Sequence, residues 1–129
     1  MIAIDSDCII DFLRGKKEVV NIIDKHKEEL VTTEINIFEV FAGIYKSKEI
    51  KEKEEQIAKA FFESLDILDC KNFGRKGALI FCELIKEGKE IEQNDCLIAA
   101  SLLINNCDKI ITRNTKHFSR IKGLKIIKY

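Results

Sequence analysis

Four oxygen-bearing side chains, Asp5, Glu39, Asp95 and Asn114, stand where the surrounding pattern calls for apolar or incidental residues. Asp5 follows the apolar run Ile2-Ala3-Ile4, and Asn114 follows Ile110-Ile111-Thr112. Both runs read as short buried strands. Between Glu34 and Tyr45, the residues Ile35, Phe38, Ala42 and Tyr45 recur at helical spacing as one apolar stripe, and Glu39 falls inside it. Asp95 lies in line with Ile98, Ala99 and Leu102, on what reads as the buried face of another helix. Three acids brought within about 4 Å of one another would repel by roughly 4 kcal/mol per ionised pair at an effective dielectric of about 20. A whole fold is worth only about 5–15 kcal/mol, so such a cluster requires protons or a cation. An all-oxygen donor set selects a hard ion, Mg²⁺ or Mn²⁺, over zinc. Singly, each acid also has a structural reading, as a helix-end residue or the partner of a nearby lysine. Jointly, those readings weaken.

The elements that must position these groups alternate along the chain. The pattern predicts a strand at Ile2 to Asp5, a helix from Asp7 to Arg14 ended by Gly15, and a helix from Lys16 to Lys27. A strand at Leu30 to Thr32 precedes Thr33, which reads as the N-cap of the Glu39 helix. The mixed-charge run from Lys46 to Glu55 reads as a solvated helix face leading into Ile57, Ala58, Phe61, Phe62 and Leu65. A strand at Asp66 to Asp69, a helix from Phe73 to Lys86 ended by Gly88, a helix from Asp95 to Asn106, and strands at Lys109 to Thr112 and Leu124 to Ile127 follow. Short apolar strands alternating with amphipathic helices imply an α/β fold with a largely parallel sheet covered on both sides. In that architecture ligands bind beyond the carboxyl ends of the strands, where Asp5 and Asn114 are predicted.

With 129 residues, 46% hydrophobic and 34% charged, the chain reads as one domain over residues 1–129, long enough to bury a core. The zero formal net charge hides an asymmetry, since from Lys109 onward Lys109, Arg113, Lys116, Arg120, Lys122, Lys125 and Lys128 carry all the ionic charge. Arg113, Lys116 and Arg120, nearest Asn114, are a candidate track for nucleic-acid phosphates, with a solvated surface as the alternative. Cys8, Cys70, Cys82, Cys96 and Cys107 contain no Cys-x-x-Cys pair and read as small buried hydrophobes in a reducing cytoplasm. No stretch has the length or polarity of a signal peptide or a membrane span, so a cytoplasmic location is expected. His26 and His117 read as incidental surface residues, and most of Phe38, Phe41, Phe61 and Phe62 as core.

The order Ile4-Asp5-Ser6 after an opening strand, Glu39-Val40-x-x-Gly43, Asp95-x-x-Ile98-Ala99-Ala100, and Thr112-Arg113-Asn114-x-x-x-Phe118-x-x-Ile121-x-Gly123-Leu124 resembles a PIN-domain protein of the VapC toxin-ribonuclease type. The resemblance spans essentially the whole chain. It implies a PIN-like sheet of four to five strands with helices on both sides, and a metal-dependent endoribonuclease that is usually dimeric and inhibited by a small antitoxin. Asp5 and Asp95 would then be direct metal ligands, Glu39 a direct or water-mediated one, and Asn114 a ligand or a positioner of a metal-held water. Ser6 and Thr112 would orient the carboxylates by hydrogen bonds.

Two positions depart from the family pattern. Asn114 stands where many relatives carry Asp, which removes one charge from the set. Asp7 stands where a small uncharged polar residue is usual, and is read as the N-cap of the first helix, with an auxiliary carboxylate as its other role. Two rival functions remain from sequence. Asp5-Ser6-Asp7 after a strand resembles the nucleophile loop of haloacid-dehalogenase-type phosphatases, although Ile9 and the missing late acidic pair depart from that family. A PIN-like module that binds RNA or protein without catalysis is the other, against which the near-complete acidic set argues.

Overall fold

The computed structural model describes residues 1–69 and 71–129, so the expectation for Cys70 lies outside the described residues. Its elements are β1 (Ile2–Ile4), α1 (Ser6–Leu13), α2 (Lys17–His26), β2 (Leu30–Thr32), α3 (Glu34–Tyr45), α4 (Glu52–Glu63), β3 (Asp66–Ile67), α5 (Phe73–Lys86), α6 (Gln93–Ile104), β4 (Lys109–Ile111), α7 (Thr115–Phe118) and β5 (Lys125–Ile127). The strands form one five-stranded sheet in the order β3-β2-β1-β4-β5, and every pairing is parallel. This is the α/β architecture expected from sequence.

The sheet has two buried faces because neighbouring strand residues point opposite ways. Ala3, Val31 and Ile110 join Ile80 and Leu84 of α5, Ile98 and Leu102 of α6 and Phe118 of α7 in one cluster. Ile2, Ile4, Leu30 and Ile111 join Ile9 of α1, Val19 of α2, Val40 of α3 and Phe62 of α4 in the other. Every residue of β1 and β2 is buried, which is why these strands read as unbroken apolar runs. Gly15 and Gly88 follow α1 and α5 with left-handed φ of +76° and +67°, as expected of helix-ending glycines. Gly77 serves packing: a Cβ there would meet Leu97 Cδ2 at 2.8 Å, so its absence lets α5 lie close on α6. That contact helps set the position of Asp95.

The direction in which strands are added reverses between β1 and β4: β2 and β3 extend the sheet one way from β1, whereas β4 and β5 extend it the other. The crevice outside the carboxyl ends of two such strands is where open α/β sheets bind ligands. Asp5 leaves β1 there, and Thr112 leaves β4.

Two expectations fail in detail, for the α3 stripe and for one cysteine. The Ile35-Phe38-Ala42-Tyr45 stripe is not buried: Phe38 is 66% and Tyr45 49% exposed, while α3 turns Asn36 and Val40 inward. The spacing is helical, but α3 splits its apolar residues, sending Ile35 to one cluster and Ile37, Val40, Phe41 and Ile44 to the other. The expectation that most of the four phenylalanines belong to the core holds: Phe62 is buried, Phe41 and Phe61 pack against the same cluster, and Phe38 is open to solvent. Cys8, Cys96 and Cys107 are buried as expected, but Cys82 is exposed on α5.

Candidate metal centre

Asp5 occupies the N-cap position of α1, yet its side chain makes no capping bond. Its Oδ2 instead accepts from Thr112 Oγ1 at 2.8 Å, and its Oδ1 from Asn36 Nδ2 at 3.1 Å. The Thr112 oxygen accepts in turn from the Asn114 backbone N–H at 2.9 Å, tying the end of β4 to the end of β1. On the other side Thr33 caps α3 as predicted, accepting from the Asn36 N–H at 3.3 Å. Its hydroxyl donates to Asn36 Oδ1 at 2.6 Å, which fixes the Asn36 amide with its NH₂ toward Asp5 and toward Ser6 Oγ at 3.0 Å. Ser6 donates to Glu39 Oε1 at 2.8 Å. Thus Asp5, Glu39, Ser6, Thr112 and Asn114 belong to one hydrogen-bonded chain running between α3 and the end of β4.

Asp95 enters from the first turn of α6, where the helix dipole favours an acid, and is 6% exposed. The Asn114 side-chain nitrogen lies 3.3 Å from Asp95 Oδ2, so the fourth sequence-predicted residue joins the same cluster. His117 Nδ1 stands 2.6 Å from the same Asp95 oxygen and 3.0 Å from Asn114 Nδ2. His117 is therefore not an incidental surface residue, whereas the His26 ring lies 3.6 Å from the exposed Glu29 carboxylate, away from the acids.

The three acids share one electrostatic condition. Burial, the Asp7 charge and, more weakly, the Asp95 charge push the Asp5 carboxyl up to about 7, against the hydrogen bond from Thr112. Burial also raises Glu39, opposed by hydrogen bonds from Ser6 and Asn94, and raises Asp95, opposed by His117. Among the described residues no lysine or arginine forms an ion pair with Asp5, Glu39 or Asp95. Partnership with a nearby lysine is thus excluded as their explanation. The cluster is short of positive charge.

Asp7 behaves differently from its expected role. The N-cap position belongs to Asp5, and Asp7 lies in the first turn of α1, accepting the Arg113 backbone N–H at 3.2 Å. The helix begins one residue earlier than its sequence suggests because Asp5 leaves the strand directly into it. The Arg113 guanidinium sits 3.3 Å from Asp11 Oδ2 and 3.9 Å from Asp7 Oδ2. Asp11 is fully buried and is held also by Lys16 Nζ at 2.9 Å and by the Tyr129 hydroxyl at 3.0 Å. Burial raises Asp11, but the bonds from Lys16 and Tyr129 and the nearby cations outweigh it and hold the carboxyl low. These pairs, centred on buried Asp11, fasten the Thr112-Arg113-Asn114 segment to α1.

Whether these residues suit a divalent cation is decided by donor chemistry and charge. Among the described residues, no three His, Cys, Asp or Glu side chains are grouped closely enough to hold an ion as a ready-made cage. The tight three-acid cluster considered from sequence is not what the fold builds. The donors are nevertheless hard oxygens with raised carboxyl pKa values, and Asp5 is oriented by neutral donors that leave its charge uncompensated. A Mg²⁺-like ion keeps several waters and takes one or two carboxylates directly, so this set fits a hydrated hard ion.

Of the proposed phosphate track, Lys116 is exposed on α7, Arg113 is engaged with Asp7 and Asp11, and Arg120 Nη1 donates to the Glu90 carbonyl at 3.1 Å. Sequence reasoning missed Asn36 and His117. The Thr33-to-Asn36 spacing held a signal for the first, since a polar residue three positions after a cap faces back toward it. An apolar-lined cleft of about 250 Å³ between α1, α3 and α4, bounded by Ile10, Leu13, Val40, Ile44 and Ile57, shares no residue with the acids.

The model of the PIN domain matches residues 2–124, and the chain belongs to the PIN domain family, a nuclease family whose members generally use divalent metals. In structure it is similar to VapBC2 from Rickettsia felis bound to a promoter DNA fragment, with TM-score 0.88, 24% identity, and 100% of this chain and 99% of that one covered. It is likewise similar to DNA-bound VapBC from Salmonella typhimurium, with TM-score 0.83, 21% identity and coverage of 99% and 98%. VapBC-1 from nontypeable Haemophilus influenzae gives TM-score 0.80 at 25% identity, covering 99% and 98%. No curated protein matches the sequence. Family membership removes support for the phosphatase reading of Asp5-Ser6-Asp7, whose second acid here accepts a backbone N–H. Among the described residues, no helix is long and apolar enough to cross a membrane.

Proposed function

We propose that this chain is a VapC-type toxin, an endoribonuclease dependent on Mg²⁺ or Mn²⁺ and paired with a small antitoxin. The observation that carries the reading is the connected set of Asp5, Glu39, Asp95 and Asn114 at the sheet's switch point, with all three carboxyls raised in pKa. Asp5 and Asp95 would hold the ion directly, Glu39 directly or through water, and Asn114 would hold either the ion or a water beside it. What such an ion supplies when bound is acidification of a water molecule and stabilisation of charge on the phosphate and the leaving oxygen. Thr112 and Asn36 fix the Asp5 carboxylate, and Ser6 fixes Glu39, so these ligands are oriented before substrate arrives. Lys116 meets the RNA backbone beside the site, with Arg120 further along and Arg113 serving mainly to fasten the Asn114 loop. In the reaction the water oxygen bonds to phosphorus as the P–O3′ bond breaks, the water gives up a proton, and the leaving O3′ takes one up. One product ends in a 5′-phosphate and the other in a 3′-hydroxyl.

The similar solved structures include VapBC complexes, which supports an antitoxin partner here. Exposed Phe38 and the cleft at Ile10, Leu13 and Ile57 supply apolar surface for that partner or for a second copy in a homodimer. The test is incubation of the purified protein with a mixed total-RNA pool in Mg²⁺ or Mn²⁺ and in EDTA, followed by end-group analysis. Metal-dependent products with 3′-hydroxyls and 5′-phosphates are expected. RNA binding without cleavage, and without a metal-dependent thermal shift, would support the non-catalytic module instead.

A further inference from the structure

We propose that His117 covers the cation position of this site, so that a divalent ion binds only when the imidazole swings off Asp95; the inference rests on the metal-dependent reading above. His117 Nδ1, Asp95 Oδ2 and the Asn114 side-chain nitrogen form a triangle with sides of 2.6, 3.0 and 3.3 Å. Nδ1 either donates to Asp95 or accepts from Asn114, but one ring nitrogen cannot do both. With the N–H on Asp95, the triangle is free of donor conflict when the Asn114 amide is turned over, a choice that hydrogen bonding decides. Asp95 Oδ2 and Asn114 Oδ1 are then two oxygen acceptors 3.3 Å apart sharing one imidazole N–H. The ring N–H thus takes the place that a small cation would take between two oxygen ligands. His117 and the ion compete for the same oxygen lone pairs.

The imidazole is a cover rather than a ligand because a ring nitrogen adds little for a hard ion that prefers oxygen donors. The side chain has a way out, being 25% exposed. Its neighbour Phe118 is completely buried and pins α7, so the ring can rotate about its own side-chain bonds without moving the Asn114 loop.

The test compares Mn²⁺ binding to wild type and His117→Ala by electron paramagnetic resonance, at one pH and without RNA. Releasing a hydrogen bond to a charged group should tighten Mn²⁺ binding about tenfold or more in the variant. In the wild type, Mg²⁺ titration should move the His117 ring resonance with the midpoint of ion binding while that of His26 stays put, a readout that does not depend on the variant. Unchanged or weaker Mn²⁺ binding by His117→Ala, or an unmoved His117 resonance at Mg²⁺ saturation, overturns the cover and leaves the nuclease reading standing. Absence of Mn²⁺ binding by both proteins overturns the nuclease reading, and the cover with it.

Discussion

Replacing Asp5 with Asn should make the metal-free protein more stable above neutral pH. The Asp5 carboxyl titrates near 7 in the fold against an ordinary 3.8, so between those values the folded state binds more protons than the unfolded chain. Stability then falls as pH rises through that window and levels off above it. At 1.36 kcal/mol per pH unit, the full cost at pH 8 is roughly 4 kcal/mol. The Asp5→Asn substitution removes the charge but mismatches one of the two donors, Thr112 Oγ1 and Asn36 Nδ2, at a cost of about 1 kcal/mol. The net gain of about 2–3 kcal/mol corresponds to a melting temperature higher by on the order of 10 °C for a domain of this length. Thermal melts in EDTA at pH 8, 6 and 4.5 should show the advantage shrinking with acid and vanishing or reversing at the lowest pH. Saturating Mg²⁺ should close the gap at pH 8, since an ion at 100 times its dissociation constant stabilises the wild type by about 2.7 kcal/mol. A variant less stable than wild type at pH 8 in EDTA, or a difference independent of pH, would refute the claim that Asp5 is a buried, uncompensated acid.

Asp11→Asn should show the opposite sign. Its carboxyl is held low by Lys16, Tyr129 and Arg113 despite burial, so its contribution is present above the ordinary carboxylate range and lost as pH falls through the folded value; melts should find the variant weaker at neutral pH, the deficit narrowing in acid. Thr112→Val keeps the shape but removes the hydroxyl linking Asp5 to the Asn114 backbone. Denaturant melts should register a loss of about 1–3 kcal/mol, and RNA cleavage should fall, whereas Thr112→Ser should retain both. Lys116→Ala should weaken RNA binding and reduce the salt slope by about 1, while Arg113→Ala, which takes one of its two cations from buried Asp11, should lower the melting temperature more than it alters that slope.

The strands and the two-sided sheet were readable because β1, β2 and β4 are short apolar runs and a parallel sheet buries both faces. Thr33 announced its helix through cap chemistry, and Gly15 and Gly88 announced helix ends through the left-handed turn they adopt. The four acidic and amide positions could be picked out as polar residues at strand ends and on helix faces, although their gathering depends on strand order, which periodicity does not encode. What stayed hidden are contacts between residues distant in sequence. Asn36 looked like an unremarkable polar residue in a helix, and its value lies in reaching Asp5, 31 positions away. His117 faces Asp95 across 22 positions, through a four-residue helix that no hydrophobic pattern predicts. The exposure of Phe38 and Tyr45 has the same origin, since stripe spacing does not tell which side of α3 its neighbours cover.

Total RNA incubated with folded wild type and folded Asp95→Asn, in Mg²⁺ or Mn²⁺ and in EDTA, decides whether the acids form a metal-dependent nuclease site. Cleavage by the wild type should require the metal and be abolished in the variant. Cleavage by Asp95→Asn at the wild-type rate, or wild-type cleavage undiminished by EDTA, would contradict that assignment.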